Sequence, residues 1–245
     1  MDPSESFRRE VENNVASLAG DRELRGLTQE WIDRAAGHKY TYNFRWMGRP
    51  IIQLPQDMVA IQEIVWQLRP QVIVETGVAH GGSLIFSASL LELLGGTGTV
   101  VGVDIEIRKH NRLAIESHPL ARRIRLVEGS STDPSVIAKV FELAARLQPA
   151  MVILDSCHTH QHVLQELGLY SPLVRIGGYI VVLDTIIEDM PVSSFSDRPW
   201  GKGNNPKTAV WEFLRANDRF VIDKDIENKL LITAAPDGYL KCVRD

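Results

Sequence analysis

Cysteine is scarce in this chain. The 245 residues hold two, Cys157 and Cys242, far apart. That spacing excludes a disulfide framework and a cysteine-built zinc site. Long apolar runs are missing: no stretch approaches the ~18 residues of a membrane span. A basic excess is missing too. The formal net charge of −4 gives no reason to expect nucleic acid or a membrane surface as partner. The opening residues, MDPSESFRRE, show neither a basic n-region nor an apolar h-region, so no signal peptide is expected there. A cytoplasmic enzyme or binding protein is the expectation. There is no internal repeat and no low-complexity tract. The apolar fraction of 44% and charged fraction of 24% are those of an ordinary globular protein.

The dinucleotide fingerprint G-x-G-x-x-G is absent as well, although something close to it organises the chain. Gln71–Ser83 reads QVIVETGVAHGGS. Val72–Val74 is a β-branched run that reads as a buried strand. Glu75 follows, then a turn with Gly77, Gly81 and Gly82, then Ser83 and an apolar helical segment, 84–94. Glycines let a backbone approach a ligand closely, and a helix N-terminus offers free N–H groups. The carboxylate of Glu75 would repel a pyrophosphate. It suits a ligand with an ammonium group, such as the methionine end of S-adenosylmethionine (SAM).

The flanking chain fits a layered α/β protein. Residues 3–37 are polar and helical in character. His38–Pro55 carries Tyr40, Tyr42, Phe44 and Trp46 at alternate positions, which predicts an extended segment with one aromatic face. This face covers a ligand, forms a subunit contact or packs as an aromatic edge on the core. Residues 1–55 thus read as a helical extension with an aromatic cap segment, and 56–245 as the main domain. Met58, Ile61, Val65 and Leu68 mark an amphipathic helix over 57–69.

Downstream, strands are predicted at 99–103, 124–127, 150–154 and 179–183. Helices are predicted at 134–147, with Ser131 or Thr132 as cap, and from Thr159 to about Leu173. Five strands alternating with helices predict a parallel sheet with right-handed crossovers. Glu75, Asp104, Asp155 and Asp184 all fall at strand ends, the edge where such sheets bind ligands. Asp104 is the expected partner of ribose hydroxyls. It lies 27 residues beyond Gly77, against about 20 in dinucleotide folds.

The stretch 186–208 is long and rich in proline and glycine, a candidate lid or binding loop. Trp200, Lys202, Asn204 and Asn205 supply a stacking face and polar groups suited to a polyhydroxylated substrate; a subunit contact is the competing reading. Asn205-Pro206 predicts a helix start. Phe220–Ile222, Leu230–Ala234 and Tyr239–Val243 are further strand candidates.

The segments ETGVAHGGS (75–83), VGVDIEI (101–107), LDSCHTHQHV (154–163), VVLDTIIEDMP (181–191) and RPWGKGNNPKTAVWEFL (198–214) resemble a family of class I SAM-dependent methyltransferases. It is the family of cephalosporin-hydroxylase-like proteins and rhamnosyl O-methyltransferases, and the resemblance spans about residues 40–245. It implies a Rossmann-like fold with a central, mostly parallel seven-stranded sheet and helices on both faces. It implies that Glu75, Gly77 and Ser83 hold the methionine part of SAM, with Gly81 and Gly82 giving close approach. Asp104 would take the ribose, Gly129 and Ser130 would lie near the adenine, and Asp155 would border the cofactor.

The resemblance also implies Mg²⁺ on Asp155 and Asp184. Leu183 stands where some relatives have glutamate, so Asp189, Glu188 or water is the expected third ligand. Methyl transfer to an alcohol needs the hydroxyl deprotonated as it attacks. His158 is the expected base, with His160 and His80 as alternatives; a transition-metal site in HTHQH is the other reading of these histidines. The expected activity is O-methylation of a sugar, glycoside or similar polar metabolite, by a homo-oligomer. A nicotinamide-dependent oxidoreductase and a non-catalytic methyltransferase-like partner are the other readings.

Overall fold

A computed structural model describes residues 2–245. The chain opens with two helices, α1 (Pro3–Gly20) and α2 (Arg22–Gly37). Asp2 and Asp21 cap them by accepting from the Ser4 and Leu24 amides. Neither helix buries a single side chain. The aromatic segment that follows does not form one extended face. Tyr40–Asn43 is a turn of 3₁₀ helix, and only then do β1 (Phe44–Trp46) and β2 (Arg49–Ile51) pair as an antiparallel hairpin. Lys39 enters the turn in the left-handed conformation (φ 52°), which breaks the alternation. Tyr40 packs edge-on between Trp31 and Phe44, Trp46 packs on Phe86, and Tyr42 is exposed.

The remaining elements are α3 (Pro55–Leu68), β3 (Val72–Thr76), α4 (Gly82–Leu94), β4 (Thr99–Asp104), α5 (Lys109–Glu116), β5 (Ile124–Glu128), α6 (Pro134–Ala144), β6 (Ala150–Leu154), α7 (His160–Tyr170), β7 (Tyr179–Val182), α8 (Pro206–Ala216), β8 (Phe220–Ile222), α9 (Lys224–Leu230) and β9 (Tyr239–Cys242). Two local expectations are corrected. Asp133, not Ser131 or Thr132, caps α6, accepting from the Ser135 amide. The segment 230–234 is no strand: its apolar residues end α9 and carry the chain to Asp57, whose carboxylate accepts from Thr233 and the Ala234 amide.

The sheet order is β5-β4-β3-β6-β7-β9-β8. The first five strands run parallel, and β9 is antiparallel to both β7 and β8. This mostly parallel seven-stranded sheet with helices on both faces is the architecture that the resemblance implies. Strand alternation divides the core in two. Ile73, Val100, Met151 and Val181 pack towards α3 and α4, while Val72, Val74, Val101 and Val152 pack towards α6, α7 and α8. β3 lies between β4 and β6, where the chain order reverses, and such a switch point opens a crevice at the strand ends. Among the described residues no helix is long and apolar enough to cross a membrane.

Candidate active site

Glu75 shares the face of Ile73, two residues back on β3, so its side chain points beneath α4. There Ser83 Oγ donates to Glu75 Oε1. Glu75 Oε2 is buried with no hydrogen-bond partner. Burial pushes this carboxyl up to about 7, against the lowering effect of Ser83.

The glycine turn is held from both sides. Asp104 Oδ2 accepts from the amides of Val78 (2.8 Å) and Ala79 (3.2 Å). Arg49 of β2 donates to His80 O through Nε (3.0 Å) and Nη2 (2.6 Å). Asn111 of α5 accepts from Arg49 and donates to Ala79 O. Gly82 lies so close to the hairpin that a Cβ there would sit 2.1 Å from Pro50 O. A Cβ on Gly77, at φ 92°, would sit 1.9 Å from Asp155 O. Sequence reasoning missed Arg49 and Asn111, because nothing local marks an arginine or an asparagine as a clamp.

At the edge of the sheet, β6 and β7 end side by side. Leu183 N–H donates to Leu154 O (3.0 Å), and the next residue on β6's side, Asp155, donates its N–H to Thr76 O (2.9 Å). Asp155 and Asp184 therefore face one another, Asp184 in the left-handed conformation (φ 56°) that aspartate tolerates. His158 Nε2 lies 3.2 Å from Asp184 Oδ2. Asp155, His158 and Asp184 each offer a ligand atom within 4.8 Å of the others'. Burial above all, then the nearby charges of Asp184, Glu75 and Glu166, hold Asp155 well above the usual carboxylate range. Among the described residues no lysine or arginine pairs with any of these four acids. Such a floor favours cations: an ammonium, a sulfonium, or a hard divalent ion held by carboxylates and water.

The three histidines separate. His158 lines the cavity and meets the Trp200 ring edge-on, centroids 4.8 Å apart. His160 turns towards α8, Nδ1 to Thr208 (2.8 Å) and Nε2 to Glu212 (3.1 Å). His162 contacts Ser131 and Ser156. The three do not converge on one ion. His80 lies off the main cavity, its carbonyl under Arg49.

A cavity of about 750 Å³ joins these parts. Its lining includes Gly77, Asp104, Ser130 and Asp155 from the strand ends and Trp31, Tyr40, Met190 and Trp200 from the helical extension and the loops. Gly82 and Ser83 face a small side recess. Gly81 (φ 80°) starts α4, and Gly129 N–H donates to Asp104 O behind Ser130.

Glu75, Gly81 and Gly129 of the expected cofactor set line neither the cavity nor the recess, and four residues expected to bind metal or substrate stand apart from both. Asp189 is paired with Lys207 Nζ at 2.6 Å, away from Asp155. Asn205 is fully buried as the cap of α8: its Oδ1 accepts from Lys207 and Thr208, and its Nδ2 donates to Glu188 and Gly201. Asn204 ties the His160 amide to Pro199 O. Lys202 stands exposed outside the lining. The long loop spends its polar groups on folding itself, which a chain without regular structure requires.

Residues 38–243 match the family described as Rhamnosyl O-methyltransferase/CmcI. The rhamnosyl O-methyltransferase of Mycobacterium tuberculosis is 34% identical over 215 residues, 83% of this chain and 82% of its own. That of Mycobacterium leprae is 34% identical over 212 residues, 83% of this chain and 87% of its own. Among solved structures, CmcI in its apo form aligns with a TM-score of 0.59 at 22% identity, covering 83% of this chain and 78% of that one. CmcI with Mg and SAM gives 0.56 at 22%, covering 82% and 77%. On the match over residues 38–243 and the identity with curated relatives, this chain belongs to the rhamnosyl O-methyltransferase/CmcI family of O-methyltransferases.

Proposed function

We propose that this protein transfers the methyl group of SAM to a hydroxyl of a sugar or glycoside. The observation that carries the reading is the meeting of Asp155, His158 and Asp184 on the wall of the cavity that starts at the glycine turn. The relatives named rhamnosyl O-methyltransferase support a sugar acceptor, as do the aromatic rings of Trp31, Tyr40 and Trp200 in the cavity lining.

SAM fits the part of the cavity beside the glycine turn. Glu75 Oε2 is a buried acceptor with nothing to accept from, and the unpaired acids suit a ligand with two positive centres. Bound there, SAM supplies an electrophilic methyl carbon. Asp104 and Ser130 orient the nucleoside. Asp155 and Asp184 would hold Mg²⁺, which would supply Lewis acidity towards the acceptor hydroxyl. Two carboxylates suffice, because Mg²⁺ keeps several waters; the apolar Leu183 beside them adds no ligand. Asp184, 3.2 Å from His158 Nε2, favours the tautomer protonated on that nitrogen, and Nδ1 is then the atom that takes the hydroxyl proton. Trp200 braces the imidazole and offers the sugar a flat face.

Self-association belongs to the same reading. α1 and α2 bury no side chain of their own, and Phe7 and Leu27 stand exposed on them. Light scattering that finds only a monomer removes it.

The test of the main reading is methyl transfer from labelled SAM to a rhamnosylated acceptor, read by mass spectrometry of the sugar. Label on a sugar hydroxyl supports the reading. A wild-type protein that binds SAM yet labels no glycoside, while labelling a phenol or an amine, overturns the acceptor assignment.

A further inference from the structure

Gln53 lies in the connection between β2 and α3, in the apolar run IIQLP. It is 5% exposed, and its Oε1 is fully buried with no hydrogen-bond partner. An amide oxygen left unpaired away from water costs free energy. Leucine or methionine would fill the space without that cost. A water, an ion or a ligand group completes such an acceptor, and the position of Gln53 favours the last.

The position says which part of a ligand. Gln53 lines both the main cavity and the side recess, so it stands at their junction. The recess lies between the hairpin and the glycine turn, walled by Pro50, Ala79, Gly82 and Ser83. Asp155 lines both spaces, whereas His158, Asp184 and Trp200 line only the main cavity, so the recess itself faces the glycine turn. Just behind Ser83 lies Glu75, which lines neither space itself and whose Oε2 is another buried acceptor without a donor. Two unpaired acceptors, one of them a carboxylate, ask for a cationic group with several N–H donors. An ammonium has three and no acceptor. The first turn of α4 begins at the same recess, and the N–H groups of a helix start suit a carboxylate. A zwitterionic α-amino acid satisfies both.

We infer that Gln53 is a ligand of the amino-acid end of SAM, its Oε1 accepting from the α-ammonium beside Glu75. The inference rests on the SAM reading above. The N-terminal hairpin is then part of the cofactor site: Arg49 holds the turn, Pro50 packs on Gly82, and Gln53 reaches the ligand.

Two compounds separate this role from a structural one. S-adenosylhomocysteine carries the amino-acid end; 5′-methylthioadenosine has the same nucleoside and sulfur without it. Wild-type protein and Gln53→Met, with Gln53→Leu as second variant, are titrated with both by calorimetry, and melting curves check folding. The expected result is S-adenosylhomocysteine weakened about tenfold or more, and methylthioadenosine changed by less than about twofold. Unchanged S-adenosylhomocysteine affinity overturns the inference, and so does an equal loss for both compounds. If folded wild-type protein binds neither compound, the SAM reading itself fails, a result distinct from a silent Gln53.

Discussion

His158 Nε2 sits 3.2 Å from Asp184 Oδ2, while the ring meets Trp200 edge-on. A carboxylate beside one nitrogen and an aromatic ring against the imidazole restrict its rotation, as orienting a general base requires. General-base catalysis contributes roughly 10²–10⁴-fold. His158→Asn therefore lowers kcat by about that factor and leaves S-adenosylhomocysteine affinity near wild type. A kcat within about threefold of wild type, on a reaction whose chemistry is rate-limiting, removes His158 as base.

Asp155 and Asp184 are the acids placed to hold a divalent ion. Chelation is expected to lower the methylation rate, and added Mg²⁺ to restore it. Asp184→Asn should lose that restoration, together with binding of Mn²⁺ followed by electron paramagnetic resonance. Full activity of metal-free wild-type protein would contradict the assignment.

Glu75 links pH to stability. Its folded pKa is about 7, raised from 4.5 by burial. The sign follows from a raised acid: its contribution is fully present below 4.5 and is lost as pH rises through 7. Over that shift the ionised form burdens the ligand-free fold by about 3 kcal/mol. Glu75→Gln carries no such burden. Its stability relative to wild type is expected to be similar at pH 5 and to gain up to about 3 kcal/mol at pH 8, while its SAM affinity falls. Denaturant melts at the two pH values check this; a gap that does not widen with pH refutes it.

The loop before α8 separates folding from binding. Asn205 caps α8 and anchors Glu188, so Asn205→Ala is expected to cost about 1–2 kcal/mol of stability. Lys202 is exposed, and Lys202→Ala should leave both stability and KM unchanged. A raised acceptor KM in Lys202→Ala, read by steady-state kinetics, would return this loop residue to the substrate site.

Much of this arrangement was legible in the sequence. Val72–Val74 reads as a strand because β-branched residues run together, and the acids at 75, 104, 155 and 184 read as one edge because parallel strands end together. Asn205-Pro206 announced α8 through cap chemistry. The same chemistry misled the reading of the loop: Asn204 and Asn205 are polar because an irregular segment must satisfy its own backbone. Asp189 looked like a free acid until the fold brought Lys207 to it. Arg49, Asn111 and Gln53 carried no local pattern. Their roles come from contacts across many residues, or for Gln53 from a contact that is missing.

The most direct test is calorimetric titration of the folded protein with SAM, with NAD⁺ as control. The account predicts saturable SAM binding, weakened in Glu75→Gln, and no NAD⁺ binding. No SAM binding to folded wild-type protein, with Mg²⁺ present, would contradict it.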